Sequence, residues 1–253
     1  MHTPRKRFGQ HFLVDHSIID AIVRDIYPRP GERVVEIGPG LAALTQPLLA
    51  RLHHLDVVEI DRDIVARLQK QYSPDQLTIH ATDALRFDFS SIGSDLRVVG
   101  NLPYNISSPL LFHLAQYRHA IRDMHFMLQK EVVDRMVAEP GSSDYGRLSV
   151  MLQYQFHLEW LLDVPPESFD PPPKVDSAVV RLIPKTDTGL DAASEARLGP
   201  LVTAAFAQRR KTVRNTLSQW FDEATLRDLG VDPGARAETL SVATFCRLAQ
   251  AAT

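Results

Sequence analysis

The stretch RVVEIGPGLAALTQPLLARLHHLDVVEID, Arg33 to Asp61, decides the fold class. RVVEI is a short apolar run bounded by PRPGE and GPG, a pattern typical of a buried strand. AALTQPLLARL carries apolar residues at helical spacing, and LDVVEI repeats the strand pattern. A strand, a helix and a second strand in this order indicate parallel strands joined by a crossover, and therefore an α/β protein.

The same alternation continues along the chain. Helices are predicted in HSIIDAIVRDIY, with Asp15 or Ser17 as its cap, and in DIVARLQKQY, SSPLLFHLAQY and KEVVDRMV. Strands are predicted in LTIH, LRVVG, MHFMLQ and SAVVRLI. GRLSVMLQYQFHL fits either a helix or a strand, and VPPESFDPPPKV, with five prolines in twelve residues, fits no regular element. The pattern predicts a doubly wound α/β sheet.

The C-terminal part of the chain has a different pattern. From about Asp191 onward only helical patterns occur, in EARLGPLVTAAFAQRRKTVRNTLSQWF, EATLRDLG and VATFCRLAQAA. PKTDTG, Pro184 to Gly189, has the composition of a linker. We therefore expect an α/β domain over residues 1–184 and a small helical domain over residues 190–253.

Composition narrows the class of protein. The 253 residues are 44% apolar, enough for a large domain and a small one. The single cysteine, Cys246, allows no internal disulfide, which suits a reducing compartment. No apolar run reaches membrane-spanning length, and the basic start lacks the apolar stretch of a signal peptide. These features predict a soluble cytoplasmic protein, which we expect to be a monomer.

Two basic clusters stand out against the net charge of −3. The first is Arg5, Lys6 and Arg7, and the second lies in QRRKTVRN, Gln208 to Asn215. Arg210 and Arg214 are spaced i,i+4, so one helix would display both on one face. Each cluster taken alone fits a solvated surface, but together they favour a protein that grips a polyanion at selected points.

EIGPG and the acid that follows it predict a ligand site. Gly38 and Gly40 lie where a strand turns into a helix, which lets the backbone approach a ligand closely. Glu59 ends the next strand, 21 residues beyond Gly38, where an acid accepts hydrogen bonds from ribose hydroxyls. Asp83 follows the third strand and is placed either to accept from an adenine amino group or to cap a turn. This pattern indicates a nucleoside-containing cofactor, either a nicotinamide or S-adenosylmethionine.

NLPY, Asn101 to Tyr104, is unusual at the end of an apolar strand. An aromatic exocyclic amine is a poor nucleophile because its lone pair is delocalised into the ring. Two acceptors that take its two hydrogens direct the lone pair at an electrophile; the Asn101 side-chain oxygen and the Leu102 carbonyl suit this role. Tyr104 is then available to stack on the base. The alternative is a turn in which Asn101 caps and Tyr104 packs.

These motifs resemble those of a known family. NLPY resembles the NPPY-type motif of methyltransferases that act on exocyclic amines. RKRFGQHFL, EIGPGLAALT, VVGNLPYNIS, FMLQKEV, YGRLSV, FDPPPKVDSAVVRL and FAQRRKTVRN extend the likeness over nearly the whole chain. Together they resemble the bacterial small-subunit ribosomal RNA adenine dimethyltransferases, the kasugamycin-sensitivity dimethylases. The resemblance implies a Rossmann-like S-adenosylmethionine-dependent methyltransferase domain with a small C-terminal helical domain.

The resemblance also implies roles for particular residues. The family methylates two adjacent adenosines near the 3′ end of small-subunit ribosomal RNA, late in subunit assembly. Its cofactor-binding residues correspond here to His11, Leu13, Gly38, Glu59, Asp83 and Asn101. His11 stands where the family usually has asparagine, and its imidazole can donate or accept a hydrogen bond as an asparagine side chain can. The residues that hold the target base would be Asn101, Leu102, Tyr104 and Phe169, and a core position is the alternative for Phe169. Contacts with RNA would come from Arg5, Lys6, Arg7, Arg209, Arg210, Lys211 and Arg214.

Three other functions remain open at the level of sequence. One is a related enzyme that dimethylates an adenine of large-subunit RNA and confers macrolide resistance. The second is an assembly factor that binds the pre-ribosome without turnover. The third is an NAD-dependent dehydrogenase, which lacks a candidate hydride-transfer acid. The scattered histidines show no metal-ligand spacing, so no metal site is predicted.

Overall fold

The computed structural model describes residues 11–252, which form two compact units. The first unit consists of the described residues up to Val133 together with Leu158–Pro184. The second consists of Asp134–His157 and the described residues from Lys185 onward. The chain passes from the first unit to the second for the last time between Pro184 and Lys185, within the predicted linker. The expected division, however, left Asp134–His157 with the α/β part.

Nine strands occur in the described residues. They are β1 (Phe12–Leu13), β2 (Val34–Ile37), β3 (Leu55–Val58), β4 (Leu77–His80), β5 (Leu96–Asn101), β6 (Ile121–Gln129), β7 (Phe156–Val164), β8 (Phe169–Asp170) and β9 (Ser177–Pro184). Seven form one sheet in the order β4-β3-β2-β5-β6-β9-β7, and β1 pairs with β8 separately. The first five in that order are parallel to their neighbours, whereas β9 runs antiparallel to β6.

The strand order reverses direction beside β2. Chain order runs outward from β2 through β3 to β4, and then resumes on the other side of β2 with β5. In open α/β sheets the crevice outside the carboxyl ends of the strands at such a reversal is where ligands bind. The predicted doubly wound α/β sheet is confirmed, with one antiparallel strand, β9, that the sequence pattern did not distinguish.

The helices that follow these strands match most of the sequence predictions. They are α1 (His16–Ile26), α2 (Thr45–Leu49), α3 (Arg62–Gln71), α4 (Ser107–Ala115) and α5 (Lys130–Val137). Asp15 caps α1, as one of the two expected candidates, by accepting from the backbone amides of Ser17 and Ile18. The prediction of a helix over AALTQPLLARL is wrong at its start, because Ala42 has φ 74°, which a right-handed helix excludes.

The second unit has its own helices and core. The helices are α6 (Arg147–Gln155), α7 (Ala192–Phe206), α8 (Val213–Thr216), α9 (Glu223–Asp228) and α10 (Val242–Ala251). GRLSVMLQYQFHL, which fitted helix or strand, is a helix that continues directly into β7. Tyr145, Val150 and Tyr154 pack in one cluster with Leu198 and Phe245. This shared core is the physical reason why Asp134–His157 groups with the C-terminal helices.

The expected display of Arg210 and Arg214 on one helix face is wrong. Helix α7 ends at Phe206, and the Lys211 amide donates to the Gln208 carbonyl at 2.9 Å to close a turn. Arg210 lies in that turn, whereas Arg214 lies in the short helix α8. The residue spacing in QRRKTVRN predicted a continuous helix, but the backbone forms a turn followed by the start of α8.

Across residues 11–252, no helix is long and apolar enough to cross a membrane.

Candidate active site

Glycines at the ends of β2 and β5 bring two strands close together below a cavity. Gly38 has φ 67°, a conformation that favours glycine, and its amide donates to the Val58 carbonyl at 3.0 Å. A Cβ added to Gly100 would lie 2.5 Å from the Ile37 carbonyl oxygen. Any other residue at position 100 would therefore push β5 away from the end of β2.

A cavity of about 320 Å³ opens at the carboxyl ends of β2, β3, β4 and β5. Its size lies within the range of small-molecule sites, roughly 300–1,000 Å³. It brings together most of the residues that the sequence singled out: His11, Gly38, Glu59, Asp83, Asn101, Leu102 and Tyr104. Residues from four separate strand ends thus share one space, as the reversal of strand order requires.

Glu59 is a buried carboxylate on the cavity wall. Its side chain is held by the backbone, with the Asp61 amide donating to Oε1 at 2.8 Å. Burial raises the pKa of Glu59 above its ordinary value, against the lowering effect of the backbone donors. A desolvated carboxylate gains from any further donor, so hydroxyl groups of a ligand would be bound strongly here.

Asp83 combines the two roles that the sequence left open. Its Oδ1 atom accepts from the Leu85 amide at 3.0 Å, which makes it a turn residue. It also lines the cavity. Within the part of the chain that the structure describes, Oδ2 has no hydrogen-bond partner, which leaves one acceptor for an amino group of a ligand.

The orientation of the Asn101 amide is fixed by the main chain. Its Nδ2 donates to the His11 carbonyl at 3.1 Å. Because a carbonyl only accepts, this bond identifies the nitrogen and leaves Oδ1 as the free acceptor. Leu102 is itself anchored, since its amide donates to the Met127 carbonyl at 3.1 Å. Neither Asn101 Oδ1 nor the Leu102 carbonyl has a partner among residues 11–252, so both predicted acceptors remain available.

Tyr104 is held at its hydroxyl and on one face. Its hydroxyl lies 2.8 Å from Ser177 Oγ. The His11 ring stacks on it, with centroids 5.7 Å apart and planes inclined by 24°. Burial raises the pKa of Tyr104, so the phenol is protonated at neutral pH. His11 is fixed in turn, because its Nδ1 lies 2.8 Å from the Pro171 carbonyl.

The whole chain matches a known family. Residues 1–253 match the family model described as Ribosomal RNA adenine dimethylase. The chain belongs to this family. It is therefore an S-adenosylmethionine-dependent methyltransferase, and the family assignment excludes a nicotinamide-dependent dehydrogenase.

Relatives of this dimethylase are similar over almost their full length. The chain is 65% identical over 245 residues to "Ribosomal RNA small subunit methyltransferase A" of Thiobacillus denitrificans, covering 97% of this chain and 96% of that one. It is 62% identical over 248 residues to the protein of the same name from Dechloromonas aromatica, covering 98% of this chain and 97% of that one.

Two solved structures share the fold. A dimethyladenosine transferase from Plasmodium falciparum has a TM-score of 0.81 and 27% identity, covering 94% of this chain and 96% of that one. The 23S rRNA methyltransferase ErmE has a TM-score of 0.73 and 27% identity, covering 95% and 99%. The predicted Rossmann-like methyltransferase fold is confirmed.

Two predicted site residues of the dimethylase lie away from the cavity. Leu13 in β1 pairs with Phe169 in β8, and both side chains are buried in the core, 6% and 3% exposed. Neither lines the cavity in the described structure. A ring so enclosed offers no face to a base in this conformation, so the core alternative holds for Phe169 here. The β1–β8 pair serves instead to carry His11 and Phe12 to the cavity wall.

The predicted RNA-contacting residues of the dimethylase fall into three groups. Arg5, Lys6 and Arg7 lie outside the described residues. Arg209 and Arg214 contact acceptors of the second unit: Arg209 Nη2 donates to the Ser143 carbonyl at 2.9 Å, and Arg214 Nη1 lies 3.4 Å from Glu223. Arg210 and Lys211 are exposed.

Sequence reasoning missed the apolar wall of the cavity. Phe12, Ile60, Ile64, Leu85 and Ile106 all line it. Ile60 is 49% exposed, an unusual position for isoleucine. The sequence held one indication, because Ile60 directly follows Glu59, the acid predicted to bind ribose hydroxyls. An isoleucine beside a strand, however, is ordinarily assigned to the core.

Glu36 is a second buried carboxylate that sequence reasoning passed over. It lies in β2, 2% exposed, and accepts from Thr45 Oγ1 at 2.6 Å. Burial raises its pKa to about 7, and the neighbouring Glu59 charge acts in the same direction. Two buried carboxyl groups, Glu36 and Glu59, therefore lie at this end of the sheet, although burial disfavours the charged form of each. Within residues 11–252 no group of His, Cys, Asp and Glu side chains has the arrangement of a metal site.

Proposed function

We propose that this enzyme transfers methyl groups to the exocyclic amines of two adjacent adenosines near the 3′ end of small-subunit ribosomal RNA. The product is dimethyladenosine, and the reaction belongs to small-subunit biogenesis. The observation that carries the proposal is the pair of unengaged acceptors on Asn101 and Leu102, in one cavity with Glu59 and Asp83.

The residues of the cavity divide into two sets of roles. Bound S-adenosylmethionine supplies the methyl group on a positively charged sulfur. Glu59 would accept from the ribose hydroxyls of that cofactor and Asp83 from its adenine amino group, and the Gly38 turn would let the backbone approach it. Asn101 Oδ1 and the Leu102 carbonyl accept the two hydrogens of the target amine, and Tyr104 stacks on the target base. Aligning the lone pair lowers the barrier without a strong base, since the proton leaves after transfer.

The choice of the small subunit rests on the relatives. The chains named for the small-subunit reaction are 62–65% identical to this one, whereas the 23S rRNA methyltransferase ErmE is 27% identical. Arg5, Lys6, Arg7, Arg209, Arg210, Lys211 and Arg214 would contact RNA phosphates of an assembling particle. The enzyme would act as a monomer in the cytoplasm, where subunits are assembled.

The deciding experiment measures tritiated methyl transfer from S-adenosylmethionine to two substrates in parallel. The substrates are small subunits lacking adenine dimethylation and protein-free large-subunit RNA. Label on the small subunit, recovered as dimethyladenosine, is the expected result. Label only on the large-subunit RNA would assign the enzyme to the resistance reaction. If neither is labelled while small subunits still bind, the chain would be an assembly factor.

A further inference from the structure

Tyr104 lies on a part of the backbone that does not fix its ring. It occupies the turn between β5 and α4, after Pro103, rather than a strand or helix. A tyrosine ring rotates about two side-chain bonds, yet a stacked base is placed correctly only if the ring plane is held within about 10–20°. Something other than the local backbone must therefore orient the ring.

Ser177 has the properties of such an anchor. It is fully buried and begins β9, where it pairs with Gln129 of β6 in the sheet. Its Oγ lies 2.8 Å from the Tyr104 hydroxyl, which joins the far end of the ring to a rigid strand. Because the phenol oxygen lies on the axis of rotation about the Cβ–Cγ bond, this hydrogen bond fixes the direction of the ring axis and leaves rotation of the ring plane to other contacts.

His11 completes the restraint from the side. Its ring lies against Tyr104 at a centroid distance of 5.7 Å, within the usual range for aromatic pairs. The Pro171 carbonyl, 2.8 Å from Nδ1, holds the imidazole in that position. A flat ring has two faces, and His11 covers one, so a base stacks on the other.

We propose that Ser177 is a positioning residue for the methyl transfer, because its hydroxyl fixes the axis of the Tyr104 ring while His11 holds the plane of that ring, against which the target adenine stacks. The inference rests on the proposed function, since it requires Tyr104 to stack on the base. It matters twice for each adenine, because the monomethylated amine, with one hydrogen left, must turn its lone pair to the electrophile again while the base stays stacked. Ser177 itself contacts neither the base nor the cofactor in this role.

The test compares Ser177→Ala, Tyr104→Phe, the double variant and the wild type on undermethylated small subunits at saturating S-adenosylmethionine. Each single change removes the same hydrogen bond and keeps the ring. We expect kcat to fall about three- to tenfold in either, which corresponds to the loss of one hydrogen bond. The KM for subunits and the calorimetric Kd for S-adenosylmethionine should stay unchanged. The double variant should be no slower than the slower single variant.

A matched control separates positioning from general stability. Ser168 is also fully buried, and its Oγ donates to Asp15 Oδ2 at 3.2 Å, away from Tyr104. Ser168→Ala should keep the wild-type kcat. The positioning role is overturned if Ser177→Ala keeps the wild-type kcat, if the losses multiply in the double variant, or if Ser168→Ala loses as much. If the wild type labels no small subunits, the proposed function fails and this role fails with it.

Discussion

The buried charged side chains beside the two ends of strand β5 differ in whether they have a partner of opposite charge. At its start, Arg97 is buried and forms two hydrogen bonds to Asp123, at 2.9 and 3.0 Å, and one to Glu32 at 2.9 Å. Beside its end, Glu36 and Glu59 are buried with no cation bound to either among the described residues.

The pKa values of the buried carboxyl groups shift in opposite directions at the two ends. Burial alone would raise the pKa of Asp123, but the Arg97 hydrogen bonds outweigh it and the pKa lies below its ordinary value. At the other end burial prevails, and the pKa values of Glu36 and Glu59 are raised. Satisfied charges at one end stabilise the fold, while incompletely satisfied groups at the other stay available for a ligand.

The largest effect should come from Asn101→Ala, at the ligand-binding end. Loss of the oriented acceptor should slow methyl transfer about a hundredfold to a thousandfold, because alignment and charge stabilisation are both lost. Single-turnover transfer at saturating S-adenosylmethionine measures this, with binding to small subunits as the control. Normal transfer by this variant would remove Asn101 from the mechanism.

Arg97→Met tests the paired end. It leaves Asp123 buried with Arg181, at 3.2 Å, as its remaining arginine partner, so we expect a loss of about 3–5 kcal/mol in the free energy of unfolding in urea. Arg122→Met is the matched control, because Arg122 also contacts Glu32, at 2.9 Å, but its side chain is 42% exposed. That control should cost about 0–1 kcal/mol. Equal losses in the two variants would contradict the contrast.

Glu36→Gln should change how stability depends on pH. Since the folded pKa is raised from 4.5 to about 7, the folded state binds more protons than the unfolded state between these values. The contribution of Glu36 is thus fully present below pH 4.5 and is lost as pH rises through about 7. Relative to wild type, the variant should gain up to about 3 kcal/mol over this window, measured by urea unfolding at pH 5 and pH 8. A gain that is independent of pH would refute the assignment.

Glu59→Gln should weaken cofactor binding without destabilising the fold. The neutral amide makes weaker hydrogen bonds to ribose hydroxyls, so the Kd for S-adenosylmethionine should rise about ten- to a hundredfold in calorimetry. Glu159→Gln removes an exposed carboxylate, 47% exposed, from the same unit and should leave the Kd unchanged. An unchanged Kd for Glu59→Gln would mean that the buried acid serves the fold alone.

Local pattern was sufficient where neighbouring residues decide the outcome. The apolar runs of β2, β3 and β5 and the EIGPG turn are short-range features that the sequence predicted, and Asp15 was one of its two candidate caps for α1. Gly38, Glu59, Asp83 and Asn101, each singled out at or after a strand end, line one cavity, because the carboxyl ends of parallel strands meet at one edge.

Local pattern failed where distant packing prevailed. QRRKTVRN has helical spacing, yet α7 ends before it at Phe206, and Thr212 pairs with Arg236 in an isolated bridge. Phe169 carried a family role but is buried through its pairing with Leu13, 156 positions away in sequence. Asp134–His157 was assigned with residues 1–184 to the α/β domain, but its side chains complete the second core.

The sequence by itself determined the fold class, the family and the chemistry of the acceptors at Asn101 and Leu102, because these depend on residue type and order. Only the tertiary structure decided which groups are paired. It assigned the Asn101 nitrogen to the His11 carbonyl and the Tyr104 hydroxyl to Ser177, and it gave Glu36 its raised pKa. Hydrogen bonding and burial join residues far apart along the chain, and no spacing in the sequence specifies those distances.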